Sequence, residues 1–255
     1  MSLTKQIPNL VTLLNLLSGC IAMVFAVNNN FVAAAFFVCL GIFFDFFDGL
    51  LARLLKAQSP LGIQLDSLAD LVTSGVVPGV IMYKLLLIAS NSSDVTMLNA
   101  EWSTSSFDWS GFRLPILPLI GFFITLASAY RLAKFNIDED QQDYFKGLPV
   151  PANTLMIIAL PLVLEFQNNE IATSLILNQW FLIGLTLVSC YLLNSNIKLV
   201  ALKFKTWDLK TNMWRYILVV ASAILLATLQ FMAIPVIIIV YIILSIFHFN
   251  TENTK

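Results

Sequence analysis

The sequence predicts an all-α fold: a polytopic membrane bundle of about eight transmembrane helices, both termini cytoplasmic. Three observations carry that expectation. Hydrophobic residues make up 58% of the 255 residues and charged residues only 11%, against about 25% charged in a typical soluble domain. The apolar residues fall into runs near the roughly 20 residues needed to cross a bilayer. The basic residues concentrate in alternate links between those runs.

The runs lie near 10–27, 31–54, 66–90, 114–134, 150–166, 179–195, 216–232 and 233–249. Each should be helical, because in hydrocarbon every backbone group must be satisfied within its own segment. Pro8 suits the first turn of the first helix. A short turn, KAQSPLG with Pro60 and Gly62, joins the second to the third. The last two runs nearly touch, with Pro235 at the start of the eighth, and so read as a tight helical hairpin.

The links sort by charge. The 53–65 link carries Arg53 and Lys56; the 131–149 link carries Arg131, Lys134 and Lys146. The 196–215 link carries Lys198, Lys203, Lys205, Lys210 and Arg215. With Lys5 and Lys255 these hold 12 of the 14 basic residues. The intervening links, NNN at 28–30, the 90–111 stretch and EFQNNE at 165–170, are acidic or neutral. The positive-inside rule therefore places the basic links in the cytoplasm. Trp102, Trp109, Trp180, Trp207 and Trp214 all fall in or beside links, as interfacial anchors do. A net charge of -1 gives no basic patch for nucleic acid, so no nucleic-acid partner is expected. Cys20, Cys39 and Cys190 lie apart in apolar runs and read as packing residues. No cleavable leader is expected.

One stretch breaks the apolar pattern. FDFFDGLLARLLKAQSPLGIQLDSLAD, residues 44–70, holds four aspartates. A charge at the bilayer centre costs roughly 2.5–3.5 kcal/mol on insertion scales, so such residues serve a function. Asp45 and Asp48 are three apart and share one helical face; Asp66 and Asp70 are four apart and share a face of the next helix. Two antiparallel helices thus bring two carboxylate pairs together near one membrane surface. Four carboxylates that close require a counter-charge, and oxygen-only ligands favour Mg²⁺ or Mn²⁺ over zinc. Gly49 and Ala52 remove side chains where a phosphate or a neighbouring helix must approach. Arg53 can clamp a phosphate oxygen. Two metals, a small-residue floor and an arginine describe phosphoryl transfer. A cation or proton transporter with an intramembrane carboxylate cluster, or a structural salt-bridge cluster, fits the spacing as well.

Asp45, Asp48, Gly49, Ala52, Arg53, Gly62, Asp66 and Asp70 read D-x2-D-G-x2-A-R-x8-G-x3-D-x3-D. This resembles the signature of the CDP-alcohol phosphotransferase family at every fixed position. The resemblance implies an integral membrane enzyme that transfers a phosphate-linked group from a CDP-activated donor to an alcohol and releases CMP. It implies that the aspartates hold two divalent metals, Mg²⁺ or Mn²⁺, and that Asp70 is also the base. IPNLVTLLNLLSG at 7–19, LGIQLDSLADLVTSGVVPG at 61–79 and RLAKFNID…YFKGLPVPA at 131–152 are similar to members that join CDP-diacylglycerol to L-serine. Lys134 stands where those members carry Arg, which keeps the charge but loses the bidentate fork. Another small alcohol acceptor remains an alternative. The likeness covers about 7–155, the expected catalytic core of a single domain spanning 1–255, with further helices over 156–255. A homodimer is compatible with this reading.

The remaining candidates follow from that chemistry. Asn9, Thr12 and Asn15, with Gly19 beyond them, form a polar stripe on an apolar helix. The stripe either hydrogen-bonds a neighbouring helix or, with Gly49, Ala52, Arg53 and Gly62, binds the CDP-diacylglycerol. Arg131, Lys134, Asn136, Lys146 and Gly147 are the expected acceptor residues, because a serine carboxylate needs a cation. The acidic run Asp138, Glu139, Asp140 and Asp143 reads as a solvated loop. The LKFKTWDLK segment reads as a surface element for anionic membrane lipids.

Overall fold

The computed structural model describes residues 6–90, 116–137, 144–200 and 212–253. The acidic run at 138–143, the LKFKTWDLK segment, Trp102, Trp109 and Trp207 lie outside them.

The order is α1 (Ile7–Val27), α2 (Phe31–Leu54), α3 (Pro60–Asp70), a π-helical turn (Leu71–Val76), α4 (Val77–Ser90), a 3₁₀ turn (Leu117–Phe122) and α5 (Phe123–Ile137). There follow β1 (Tyr144–Lys146), α6 (Val150–Phe166), α7 (Glu170–Ile176), α8 (Gln179–Asn194), β2 (Lys198–Val200), α9 (Met213–Leu229), a 3₁₀ turn (Gln230–Met232) and α10 (Ala233–Asn253). The all-α membrane bundle expected from the sequence is borne out. Among the described residues, five helical stretches are long and apolar enough to cross a bilayer, or six if α7 and α8, bent by 67°, form one span. The apolar stretch Met213–Phe249 is a hairpin, not one rod. The rings of Trp214 and His248 stand 6.2 Å apart, whereas a continuous helix would separate them by about 50 Å. Gln230, at φ 50° and ψ -123°, makes the reversal.

Three local features depart from the sequence reading. Pro60 and Gly62 belong to the first turn of α3, not to the link. Ser59 caps that turn by accepting from Gly62 N at 3.0 Å, and Pro60 takes the N1 position, where its missing N–H costs nothing. Residues 170–176, read as part of a link, form α7 because Asn169 accepts from the N–H groups of Ile171 and Ala172. β1 and β2, pairing antiparallel with Tyr144 opposite Val200, interrupt the helical pattern.

The bundle is built with small and polar residues inside and large apolar ones outside. The buried face of α1 is Pro8, Thr12, Asn15, Ser18, Gly19, Ala22 and Ala26, while Leu10, Leu13, Leu17 and Val24 are exposed. Lipid solvates leucine as well as a protein core does, so helices gain by close approach of small residues and by interhelical hydrogen bonds. The polar stripe therefore faces inward. The larger apolar core gathers around α4 and α6, with Ile81, Met82, Leu85, Leu86, Ile157 and Ile158 fully or nearly fully buried.

Two ends of the bundle differ in charge. At one, the β1–β2 pairing joins the links bearing Lys146 and Lys198. There Gly147 N donates to Ile197 O and Leu148 N to Leu192 O, both at 2.9 Å. Both main-chain groups of Val200 are held by α10: its N–H donates to Ser245 Oγ at 3.2 Å, and its carbonyl accepts from Tyr241 Oη at 3.0 Å. At the other end, Asn28–Asn30 share a polar cavity with Glu165, and Gln167 Nε2 donates to Leu229 O at 2.7 Å.

Candidate active site

The four aspartates converge as the spacing predicts. Side-chain oxygens of Asp45, Asp48 and Asp66 all lie within 4.8 Å of one another. Asp45 also lies near Asp70. Asp48 is 5% exposed, and the buried oxygens Asp48 Oδ2 and Asp66 Oδ1 have no hydrogen-bond partner. Buried carboxylate oxygens without a donor are costly. A cluster of hard oxygen donors left in that state fits a divalent cation.

Beside them opens a cavity of about 440 Å³, lined among others by Asn9, Thr12, Asp48, Gly49, Ala52, Arg53, Gly62 and Asp66. A Cβ added to Gly49 would meet nothing within 4 Å, so the missing side chain there opens the cavity and does not serve helix packing. Arg53 is exposed and its Nε donates to Gly49 O at 3.0 Å, which holds the guanidinium along the cavity wall. Gly62 faces Asn9 Oδ1 and Ser59 Oγ, each 3.2 Å from where its Cβ would stand.

The α1 stripe is split by the structure. Asn9 and Thr12 line the cavity, and the Thr12 hydroxyl donates to Pro8 O at 3.1 Å. Asn15 does not line it. It is fully buried, and its Nδ2 donates to Asp70 Oδ1 at 3.1 Å.

The acceptor candidates lie on the far side of α3. Arg131, Lys134 and Lys146 line a second, small cavity with Asn194 and Ser195, and Arg131 Nε is buried without a hydrogen-bond partner. Asn136 exchanges hydrogen bonds with Ser67, next to Asp66, at 2.9 and 3.2 Å. Gly147 sits at φ 71°, and a Cβ there would stand 2.7–2.9 Å from the carbonyls of Leu192, Leu193 and Ser195. Its place is fixed by backbone geometry, because only glycine combines that φ with that closeness. α5 runs antiparallel to α3 and the π-helical turn. Asn136 meets Ser67, and Ser128 lies beside Gly75. Interpolated between those contacts, Arg131 is level with the residues that follow Asp70.

Residues matching the CDP-alcohol phosphatidyltransferase family model run from 5 to 191. The chain belongs to that family. The resemblance carried by the aspartate signature is thereby borne out. Among relatives, the CDP-diacylglycerol–serine O-phosphatidyltransferase of Bacillus subtilis (strain 168) is 31% identical over 168 residues, 66% of this chain and 79% of its own length. That of Helicobacter pylori (strain 26695) is 28% identical over 211 residues, 80% of this chain and 75% of its own. That of Saccharomyces cerevisiae is 31% identical over 166 residues, 59% of this chain and 51% of its own.

Several polar residues inside the bundle carry no signal of their partners in the sequence. Thr73 donates to Asn15 Oδ1 at 2.8 Å. Thr125 and Thr154 donate to the carbonyls of Gly75 and Ser74 at 2.9 and 2.6 Å, which ties the π-helical turn to α5 and α6. Asn153 is fully buried, with neither amide atom partnered. A threonine or asparagine in an apolar helix is a visible signal, but its partner lies 50–80 residues away and no pattern in the chain names it.

Proposed function

We propose that this protein transfers the phosphatidyl group of CDP-diacylglycerol to L-serine, forming phosphatidylserine and CMP. The observation that carries the reading is the aspartate cluster, partly unsatisfied, at the wall of a 440 Å³ cavity, in a member of a family whose relatives bear that activity in their names. The acceptor assignment draws on Arg131. Arg131 is half-buried, and its buried Nε has no partner; an anion beside it would offset the cost of that unpaired donor, and a serine carboxylate is such an anion.

In this reading the donor's acyl chains stay in lipid beside the exposed face of α2, and its nucleotide enters the cavity between α1, α2 and α3. Gly49 and Ala52 let the pyrophosphate lie against α2, and Arg53 pairs with a phosphate oxygen. Asn9 and Thr12 offer hydrogen bonds to the nucleotide. Asp45, Asp48, Asp66 and Asp70 would hold two divalent ions, Mg²⁺ or Mn²⁺, which neutralise charge on the pyrophosphate and the departing nucleotide. Arg131, with Lys134 and Lys146, holds the serine carboxylate, and Asn136 and Gly147 shape that side of the site. Asp70 accepts the serine hydroxyl proton. The serine oxygen forms a new bond to the phosphatidyl phosphorus. The bond from that phosphorus to the CMP oxygen breaks, and CMP leaves with its electron pair.

Among the described residues, Arg53, Lys56, Arg131, Lys134, Lys146 and Lys198 lie toward the end bearing this site, which by the positive-inside rule supports a reaction at the cytoplasmic face of the cell membrane. The seventeen-residue α6 and the α9–α10 hairpin complete eight spans, in one domain whose core is residues 7–155. The deciding test is CMP release by the purified protein with a panel of acceptors. L-serine should support turnover far better than glycerol 3-phosphate, inositol or inositol phosphate; glycerol 3-phosphate ahead of serine would overturn the acceptor assignment.

A further inference from the structure

Asn15 spends its polar groups on one short segment. Its Nδ2 donates to Asp70 Oδ1 at 3.1 Å. The Thr73 hydroxyl lies 2.8 Å from its Oδ1 and 3.1 Å from its main-chain carbonyl. The hydroxyl is a donor to the amide oxygen, so the amide nitrogen is the end turned toward Asp70. A neutral donor fixes one carboxylate oxygen without cancelling the charge, as an arginine in the same place would.

The surroundings hold this arrangement rigidly. A Cβ on Gly41 would stand 2.6 Å from Thr73 Cγ2 and 2.9 Å from Asn15 Oδ1, and one on Gly19 would stand 2.9 Å from Thr73 Cα. Two glycines, from α1 and α2, thus let Thr73 seat against both helices. Thr73 itself lies in the π-helical turn that begins immediately after Asp70. The turn's Ser74 and Gly75 carbonyls are tied to α6 and α5 through Thr154 and Thr125. Wide turns of this kind recur at functional sites; here the turn carries the hydroxyl that orients an amide two helices away in sequence.

We propose that Asn15 and Thr73 are positioning residues that set the orientation of the Asp70 carboxylate for the reaction. The proposal rests on Asp70 acting in catalysis as described above. It predicts damage to turnover, not to nucleotide binding, in protein that still folds.

The test uses the full chain in detergent, with CMP release measured against CDP-diacylglycerol and L-serine, and melting temperature measured without ligand. Thr73→Val keeps the shape that packs on Gly19 and Gly41 but removes the hydroxyl. It should lower kcat by about 10-fold, with the KM for CDP-diacylglycerol within about 3-fold; the melting temperature should fall by a few degrees, because the Asn15 amide oxygen is left without its donor, while the protein stays folded at the assay temperature. Thr73→Ser, which keeps the hydroxyl, should restore most of that rate. Asn15→Ala should lower kcat by about 10²-fold, the scale expected for misplacing a reacting group by about an ångström. Adding Thr73→Val to Asn15→Ala should cost little more, because the two act through one contact. Full kcat in Thr73→Val, or a loss confined to KM, would overturn the proposal; the second result would return Asn15 to the nucleotide pocket. If Asp70→Asn is inactive while Asn15→Ala and Thr73→Val keep full kcat, the positioning role alone fails. If Asp70→Asn keeps wild-type turnover, the assignment of Asp70 fails and the positioning role with it.

Discussion

Gly49→Leu should block the donor without loosening the bundle, and Gly41→Ala should do the reverse. Both glycines lie on α2, eight residues apart. A Cβ at Gly49 enters open space, with nothing within 4 Å, whereas one at Gly41 falls 2.6 Å from Thr73 Cγ2. At Gly49, leucine meets no neighbouring helix and removes a glycine from a helix interior, so ligand-free stability should hold or rise by up to about 1 kcal/mol. The new side chain projects into the cavity beside Asp48 and Arg53. Forcing a phosphate group past it resembles overpacking, which costs about 1–3 kcal/mol, or about 5- to 160-fold in CDP-diacylglycerol affinity. At Gly41 the same 1–3 kcal/mol falls on the fold instead. The assays are a ligand-free melting curve in detergent and a CDP-diacylglycerol titration for each variant. A melting temperature that drops in Gly49→Leu while affinity is retained would refute the reasoning and make Gly49 a packing residue.

Three further outcomes follow from the same geometry. Asp70→Asn keeps size and one oxygen but cannot take a proton, so CMP release should fall by about 10²–10⁴-fold with CDP-diacylglycerol binding retained; near wild-type turnover would remove it from the chemistry. Asp66→Asn weakens the oxygen cluster, so part of its lost rate should return as Mg²⁺ or Mn²⁺ is raised, and a rate indifferent to metal concentration would count against a metal role. Tyr241→Phe deletes the hydroxyl that holds Val200 O and strands that carbonyl, costing about 1–3 kcal/mol; an unchanged melting temperature would show that α10 does not brace β2.

Much of this was legible because the bilayer makes local pattern decisive. The bounds of α2 and α6 follow from where apolar runs stop, since a lipid-exposed backbone has no option but the helix. The aspartate pairs were legible for the same reason: three- and four-residue spacing fixes a shared face once the helix is certain. What stayed hidden depends on contacts between distant segments. Asn15 looked like Asn9 and Thr12 on the same stripe, and only the seating of Thr73 separates it from them. The π-helical turn has no signature in LVTSGV; the hydroxyls of Thr125 and Thr154, each on another helix, satisfy its carbonyls. β1 and β2 are three residues each, too short for alternation to register, and their pairing is held by α10. Pro60 and Gly62 were read as turn residues by type, but Ser59 as a cap makes them the start of α3.

In the proposed reaction, four aspartates on two helices serve the transfer of a phosphatidyl group to serine. Its most direct test is stoichiometric: purified protein in detergent, radiolabelled L-serine, CDP-diacylglycerol and Mg²⁺ or Mn²⁺, with lipid-bound label and free CMP both quantified. One CMP should form per serine joined to lipid, and neither product when donor, serine or metal is omitted. CMP formed without serine incorporation, or metal-dependent ion flux in proteoliposomes with no CMP under any condition, would contradict it.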